Sequence, residues 1–153
     1  VSGAMWVANA TAPGQIHRID PATGQSAGFV TVGTAVFGNN NSFSGGLQVL
    51  PAALSLGGTS VPAGSLLLIG AQTNPDRAVA VDPETGALLA SRTFANDYAT
   101  TLGLFDPVSG HLFVGSSNRN PDRLYEIDPA TGAELAALDL PFDISDGGIA
   151  LHP

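Results

Sequence analysis

A chain of 153 residues that is 44% apolar has enough material for a buried core, and at 12% charged residues it carries few surface charges. Thirteen acidic residues stand against five scattered Arg and no Lys; the formal charge of -8 disfavours nucleic acid and anionic membrane as partners. The absence of Cys excludes a disulfide framework, a thiolate nucleophile and Cys-ligated metal, and no apolar run has bilayer-spanning length.

Taken in chain order, short alternating or apolar runs predict strands over 4–8, 15–19, 26–32, 46–50, 66–70, 78–81, 87–93, 102–105, 112–115, 124–127, 134–140 and 147–152. The run 66–70 is nearly all apolar, as expected of an inner strand covered on both faces. An Asn-rich stretch, Gly38-Asn-Asn-Asn-Ser42, and a Gly- and Pro-punctuated segment, 52–62, read as loops. The best helix candidate, 130–138, has Gly132 inside its first turn, and the equivalent stretches after Gly24 and Gly86 are poor helix formers, so strand is expected there too.

Three of these strands end in one signature. Ile-Asp-Pro-Ala-Thr-Gly closes at Gly24 and again at Gly132, and Val-Asp-Pro-Glu-Thr-Gly closes at Gly86. Asp opens the turn, Pro sets φ at its second position and Gly closes it. Asp82 and Asp128 are 46 residues apart, as are Pro107 and Pro153. That period is the length of one four-stranded propeller blade. Asp20 and Asp82 are 62 apart, and the loops at 38–42 and 52–62 hold the excess.

With strands labelled a to d, the order is b-c-d, abcd, abcd, a: twelve strands, or three blades' worth. The expected fold is therefore all-β. It is a single partial β-propeller domain over 1–153, with repeats near 1–34, 45–93 and 100–140 and a last strand at 147–152. Closed propellers use at least four blades, so completion is expected from a second copy or from further blades of a longer chain. The start at Val1, without an initiator Met, is expected of a mature product or a piece.

The stretch from Gly103 to Gly115, Gly-Leu-Phe-Asp-Pro-Val-Ser-Gly-His-Leu-Phe-Val-Gly, followed by Arg123-Leu-Tyr-Glu-Ile-Asp-Pro-Ala-Thr-Gly132, resembles the repeat of bacterial propellers of the NHL, YVTN and SMP-30-like superfamily. The resemblance covers nearly the whole chain and implies the fold. Its members include binding scaffolds, surface proteins, lactonases and a lyase, so it implies no single activity. The enzymatic members' metal ligands have no residue-by-residue match here.

His17, His111 and His152 occupy three different repeat positions at no metal-ligand spacing. His152 lies on the inner strand that would line a channel, although its counterpart Leu50 is apolar; it is a candidate ligand-binding residue. Asp139, Asp143 and Asp146 form the densest carboxylate group, and Asp97 precedes Asp143 by one period of 46. Asp97, Asp143 and Asp146 are thus candidate ligands for calcium or magnesium, with backbone-capping turns as the plainer alternative. Asn39, Asn40 and Asn41 are candidate ligand contacts, because loops on a rigid scaffold carry binding. The repeated Asn-Pro-Asp-Arg at 74–77 and 120–123 reads as a turn whose Arg pairs with a carboxylate on a neighbouring blade. Trp6, in phase with Leu68 and Val114, is expected in the core.

The leading expectation is a non-enzymatic propeller module outside the cytoplasm that binds a protein or carbohydrate. Low charge with abundant Gly, Ala, Ser and Thr points to that location. The alternative is a divalent-metal-dependent hydrolase or lyase with its site in the channel.

Overall fold

The computed structural model describes residues 3–9, 14–33, 45–70, 75–116, 120–144 and 148–152. Every regular element among them is a strand. β1 (Met5–Asn9), β2 (Gln15–Ile19) and β3 (Ser26–Thr31) form a first antiparallel sheet in the order β1-β2-β3. β4 (Gly46–Val49), β7 (Leu66–Gly70), β8 (Arg77–Val81) and β9 (Leu88–Thr93) form a middle sheet in chain order. β10 (Thr100–Asp106), β11 (His111–Ser116), β12 (Arg123–Ile127) and β13 (Glu134–Asp139) form a last one. β5 (Leu54–Leu56) and β6 (Thr59–Val61) pair as a separate hairpin. The fold is all-β, and no sheet closes on itself among the described residues.

The sheets stack face to face, as blades do. Alternation along β7 and β8 divides their side chains between two cores. Leu66, Leu68, Val79 and Val81 join Ile16, Val30 and Val32 of the first sheet, with Trp6 packed alongside. Leu67, Ile69, Ala78 and Ala80 join Phe105, Leu112, Val114, Tyr125 and Ile127 of the last sheet. All five residues of β7 are buried, which accounts for its uninterrupted apolar run.

The Asp-Pro turns are one device used four times. The Gly24, Gly86, Gly110 and Gly132 N–H groups donate to the carbonyls of Asp20, Asp82, Asp106 and Asp128 at 2.7–2.9 Å. Each Asp side chain also accepts the N–H two residues on, at 2.8–2.9 Å. At Asp20, Asp82 and Asp128 the turn feeds a bulge, with register shifts after Arg18, Ala80 and Glu126.

Four expectations are corrected. Residues 148–152 form no strand, although they repeat the pattern of 46–50. β4 and β10 are strands because they pair with β7 and β11, whereas 148–152 pair with no strand among the described residues. Between the inner strands themselves, the Gln48 side-chain amide bridges β4 to β10, accepting the Phe105 N–H at 2.7 Å and donating to the Phe105 carbonyl at 3.2 Å. The segment 52–62 is a hairpin and not a loop, because Leu54, Leu56 and Val61 alternate with exposed Ser55, Thr59 and Ser60 and are buried in the second core. Trp6 pairs with Arg18, where Leu67 pairs with Ala80. Its true counterpart is therefore Leu67, because the β1–β2 connection is one residue shorter than β7–β8, and one residue changes the face. Finally, Arg123 Nε lies 2.5 Å from Asp139 Oδ1, its cross-strand partner within one sheet and not on a neighbour.

Candidate functional site

The Asn-Pro-Asp-Arg repeats build the frame of the site. Asp76 is buried, and its Oδ2 accepts three hydrogen bonds: Tyr98 N–H at 3.2 Å, Thr100 N–H at 2.9 Å and Thr100 Oγ1–H at 2.7 Å. Its carbonyl accepts the Phe94 N–H at 2.8 Å. One repeat later, Asp122 Oδ2 accepts the Ile144 N–H at 2.8 Å and its carbonyl the Leu140 N–H at 2.7 Å. Each Asp thus clips the chain leaving its sheet and aims it toward the next inner strand. Burial, outweighing the Thr100 hydrogen bonds, raises the Asp76 carboxyl above its ordinary range, and the Asp97 charge adds to this. The Asn-Pro-Asp-Arg repeats are thus clips and not turns alone, and their signal in the sequence is the identical 22-residue distance from Asp76 to Tyr98 and from Asp122 to Ile144.

Clipped in this way, β4, β10 and residues 149–152 lie side by side around an open groove of about 750 Å³. Its floor is apolar, from Leu47, Gly103, Leu104, Ile149 and Leu151. Gln48, Asp106 and His152 supply its polar side chains, and Val108 stands at its edge, 93% exposed. The Asp106 carboxylate is held below its ordinary range, first by the Val108 N–H at 2.9 Å, then by Ser109, with His111 contributing. His111 Nδ1 lies 2.6 Å from Glu126 Oε1 nearby. The arrangement suits a ligand with an apolar body and a hydrogen-bond donor or cation for Asp106.

His152 is exposed and lines this groove, whereas its counterpart Leu50 is buried core. Asp97 is exposed, and its Oδ1 accepts the Ala99 N–H at 3.1 Å in a turn where Ala99 has φ of +48°. Asp143 is exposed beside the clipped Ile144. Asp146, Asn39, Asn40 and Asn41 lie outside the described residues. Among the described residues no three His, Asp or Glu side chains converge as a metal cluster. Asp106 and Gln48 went unrecognised as site residues: the first looked like a turn opener alone, and nothing in the pattern around the second marks it.

Neither family models nor curated proteins return a match to this chain.

Proposed function

We propose that the chain is a set of propeller blades of the NHL, YVTN and SMP-30-like kind, acting as a non-enzymatic binding scaffold outside the cytoplasm. The three sheets over 1–153 form one partial propeller domain, and the groove between the inner strands takes the ligand. One observation carries this reading. The repeated polar residues outside the groove are spent on architecture: Asp20, Asp82 and Asp128 close turns, and Asp76 and Asp122 clip the chain leaving their sheets. What they build is a rigid, largely apolar recess with a polar edge, a shape that favours binding over chemistry. A protein segment presenting an apolar side chain beside a basic or amide group is the preferred ligand, with a carbohydrate as the second class.

The test is a binding screen of displayed peptides and of immobilised glycans against the wild-type chain and a Leu104→Arg, Val108→Arg variant. Ligands recovered by the wild type and lost by the variant support the groove. Turnover of an ester or lactone panel that requires added calcium or magnesium and is abolished by Asp106→Asn or His152→Ala would overturn the scaffold reading.

A further inference from the structure

We propose that the recess between the first sheet and the 82–86 turn of the middle sheet is a binding site for one neutral sugar ring, separate from the groove. Trp6, Arg18, Gly28, Pro83 and Glu84 line it, and it holds about 120 Å³. None of these residues lines the groove.

Two interfaces built by one repeat differ here in chemistry. Trp6, Arg18 and Gly28 stand in one row across β1, β2 and β3, on the face turned to the middle sheet. The same row of the middle sheet, on the face turned to the last, is Leu67, Ala80 and Ala90. That row is buried core, at 0%, 0% and 8% exposure. The turn one sheet further on carries Glu84 in the first case and Ala130, 46 residues later, in the second. Packing two blades together does not require a guanidinium and a carboxylate in this layer, since alanine completes it one repeat on.

Trp6 is half-buried: it packs alongside the core and also borders the recess. Gly28 adds no side chain, and nothing lies within 4 Å of its Cβ direction, so space over the row stays open. Among the described residues, neither the Arg18 nor the Glu84 side chain has an ion-pair or hydrogen-bond partner. A ligand in the recess therefore meets N–H donors on one side and carboxylate acceptors on the other. Net charge of either sign would be attracted by one group and repelled by its opposite. A neutral ligand that both donates and accepts satisfies the two together. The indole beside them offers a flat apolar surface. A sugar ring combines these properties: adjacent hydroxyls that donate and accept, and a face of C–H groups to lie against the indole. The space equals that of about four water molecules. It admits one ring by its edge and leaves the rest of a glycan in solvent.

Trp6 is the only Trp in the chain, so intrinsic fluorescence reads this recess directly. Titration of the wild type with methyl glycosides of neutral hexoses is expected to give a saturable change in Trp6 emission for at least one of them. Half-saturation should fall on the order of 1 mM, as fits a ligand of about a dozen heavy atoms. Arg18→Ala and Glu84→Ala should each weaken the response at least tenfold with an unchanged circular dichroism spectrum. Glu84 is exposed on its turn, so its variant carries the test even where Arg18→Ala fails to fold. The Leu104→Arg, Val108→Arg variant should titrate as the wild type does, which separates this site from the groove. The absence of any saturable response across the hexoses overturns the proposal. So does a response that survives both single substitutions, one lost only in the groove variant, or one given by N-acetylglutamine amide and by no glycoside.

Discussion

At the scale of single residues, the carboxylates divide by the work they do. Asp82, Asp106 and Asp128 accept turn N–H and hydroxyl groups, which lowers their pKa; foremost are the Thr85 N–H, the Val108 N–H and the Thr131 hydroxyl respectively. A lowered folded pKa is a contribution to stability that is complete above the unfolded value and is lost as pH falls through the folded one. Asp76 has the opposite sign. Its raised pKa favours the neutral form in the fold, so its contribution is complete below the unfolded value, 3.8, and declines as pH rises through the folded one. Asp76→Asn keeps an acceptor without the charge. It is expected to match or exceed the wild type in melting temperature at neutral pH, with a shallower loss of stability above pH ~4. Asp76→Ala leaves two buried N–H groups and a hydroxyl unpaired and is expected to cost about 3 kcal/mol by denaturant titration. Equal effects of the two substitutions would show that Asp76 is not a clip.

At the scale of elements, the turns that close the outer hairpins of the middle and last sheets, at Gly86 and Gly132, also wedge against the preceding sheet. A Cβ on Gly132 would overlap the Thr93 carbonyl oxygen, and Gly132 O accepts the Ala95 N–H at 2.9 Å. Arg92 Nη2 donates to the Thr131 carbonyl beside it. Gly24 has the same left-handed backbone, φ +69° against +73°, but nothing within 4 Å of its Cβ direction. The two therefore separate backbone strain from packing. Gly24→Ala is expected to cost about 1 kcal/mol and Gly132→Ala about 3 kcal/mol in equilibrium unfolding. Matching costs would refute the wedge. The β5–β6 hairpin has a comparable role, since Gly57 N–H donates to the Pro129 carbonyl at 3.0 Å and fastens the insertion to the next sheet's turn. Leu56→Ala, at a fully buried site of that hairpin, should destabilise by about 3 kcal/mol. A change near zero would return 52–62 to the status of a loop.

At the scale of the whole molecule, three stacked sheets place the best-protected chain in the middle. β7 and most of β8 are buried from both sides, whereas every residue of β13 is exposed. Amide hydrogen exchange is expected to be slowest at Leu66–Ile69 and Ala78–Val81, and faster by orders of magnitude along β13. Uniform protection across the three sheets would contradict the stack. The same layering decides where apolar surface is left over, since a sheet in the middle has two neighbours and an outer one has a single neighbour. Phe29 and Leu138 are exposed for that reason and not because their strands are poorly formed.

Much of this was legible in the chain itself. The period of 46, the Asp-Pro turns and the alternation of apolar residues fix eleven of the thirteen strands and the all-β class, because each depends on local backbone preference or on a two-residue period. The hairpin at 54–61 escaped because Gly57-Gly58 and the flanking Pro residues outweigh three alternating apolar positions in a short window. Trp6 packs against the core as its apolar type suggests, but its repeat counterpart is Leu67 and not Leu68, because a loop shorter by one residue shifts a strand's register without altering its pattern. Neither the groove nor the Gln48 bridge could be read in advance, since β4 and β10 are joined across 57 residues by a side chain imitating a backbone. Local preference determined the strands and turns; only the tertiary structure decided which faces meet and which carboxylates are buried, because those depend on partners distant in the chain.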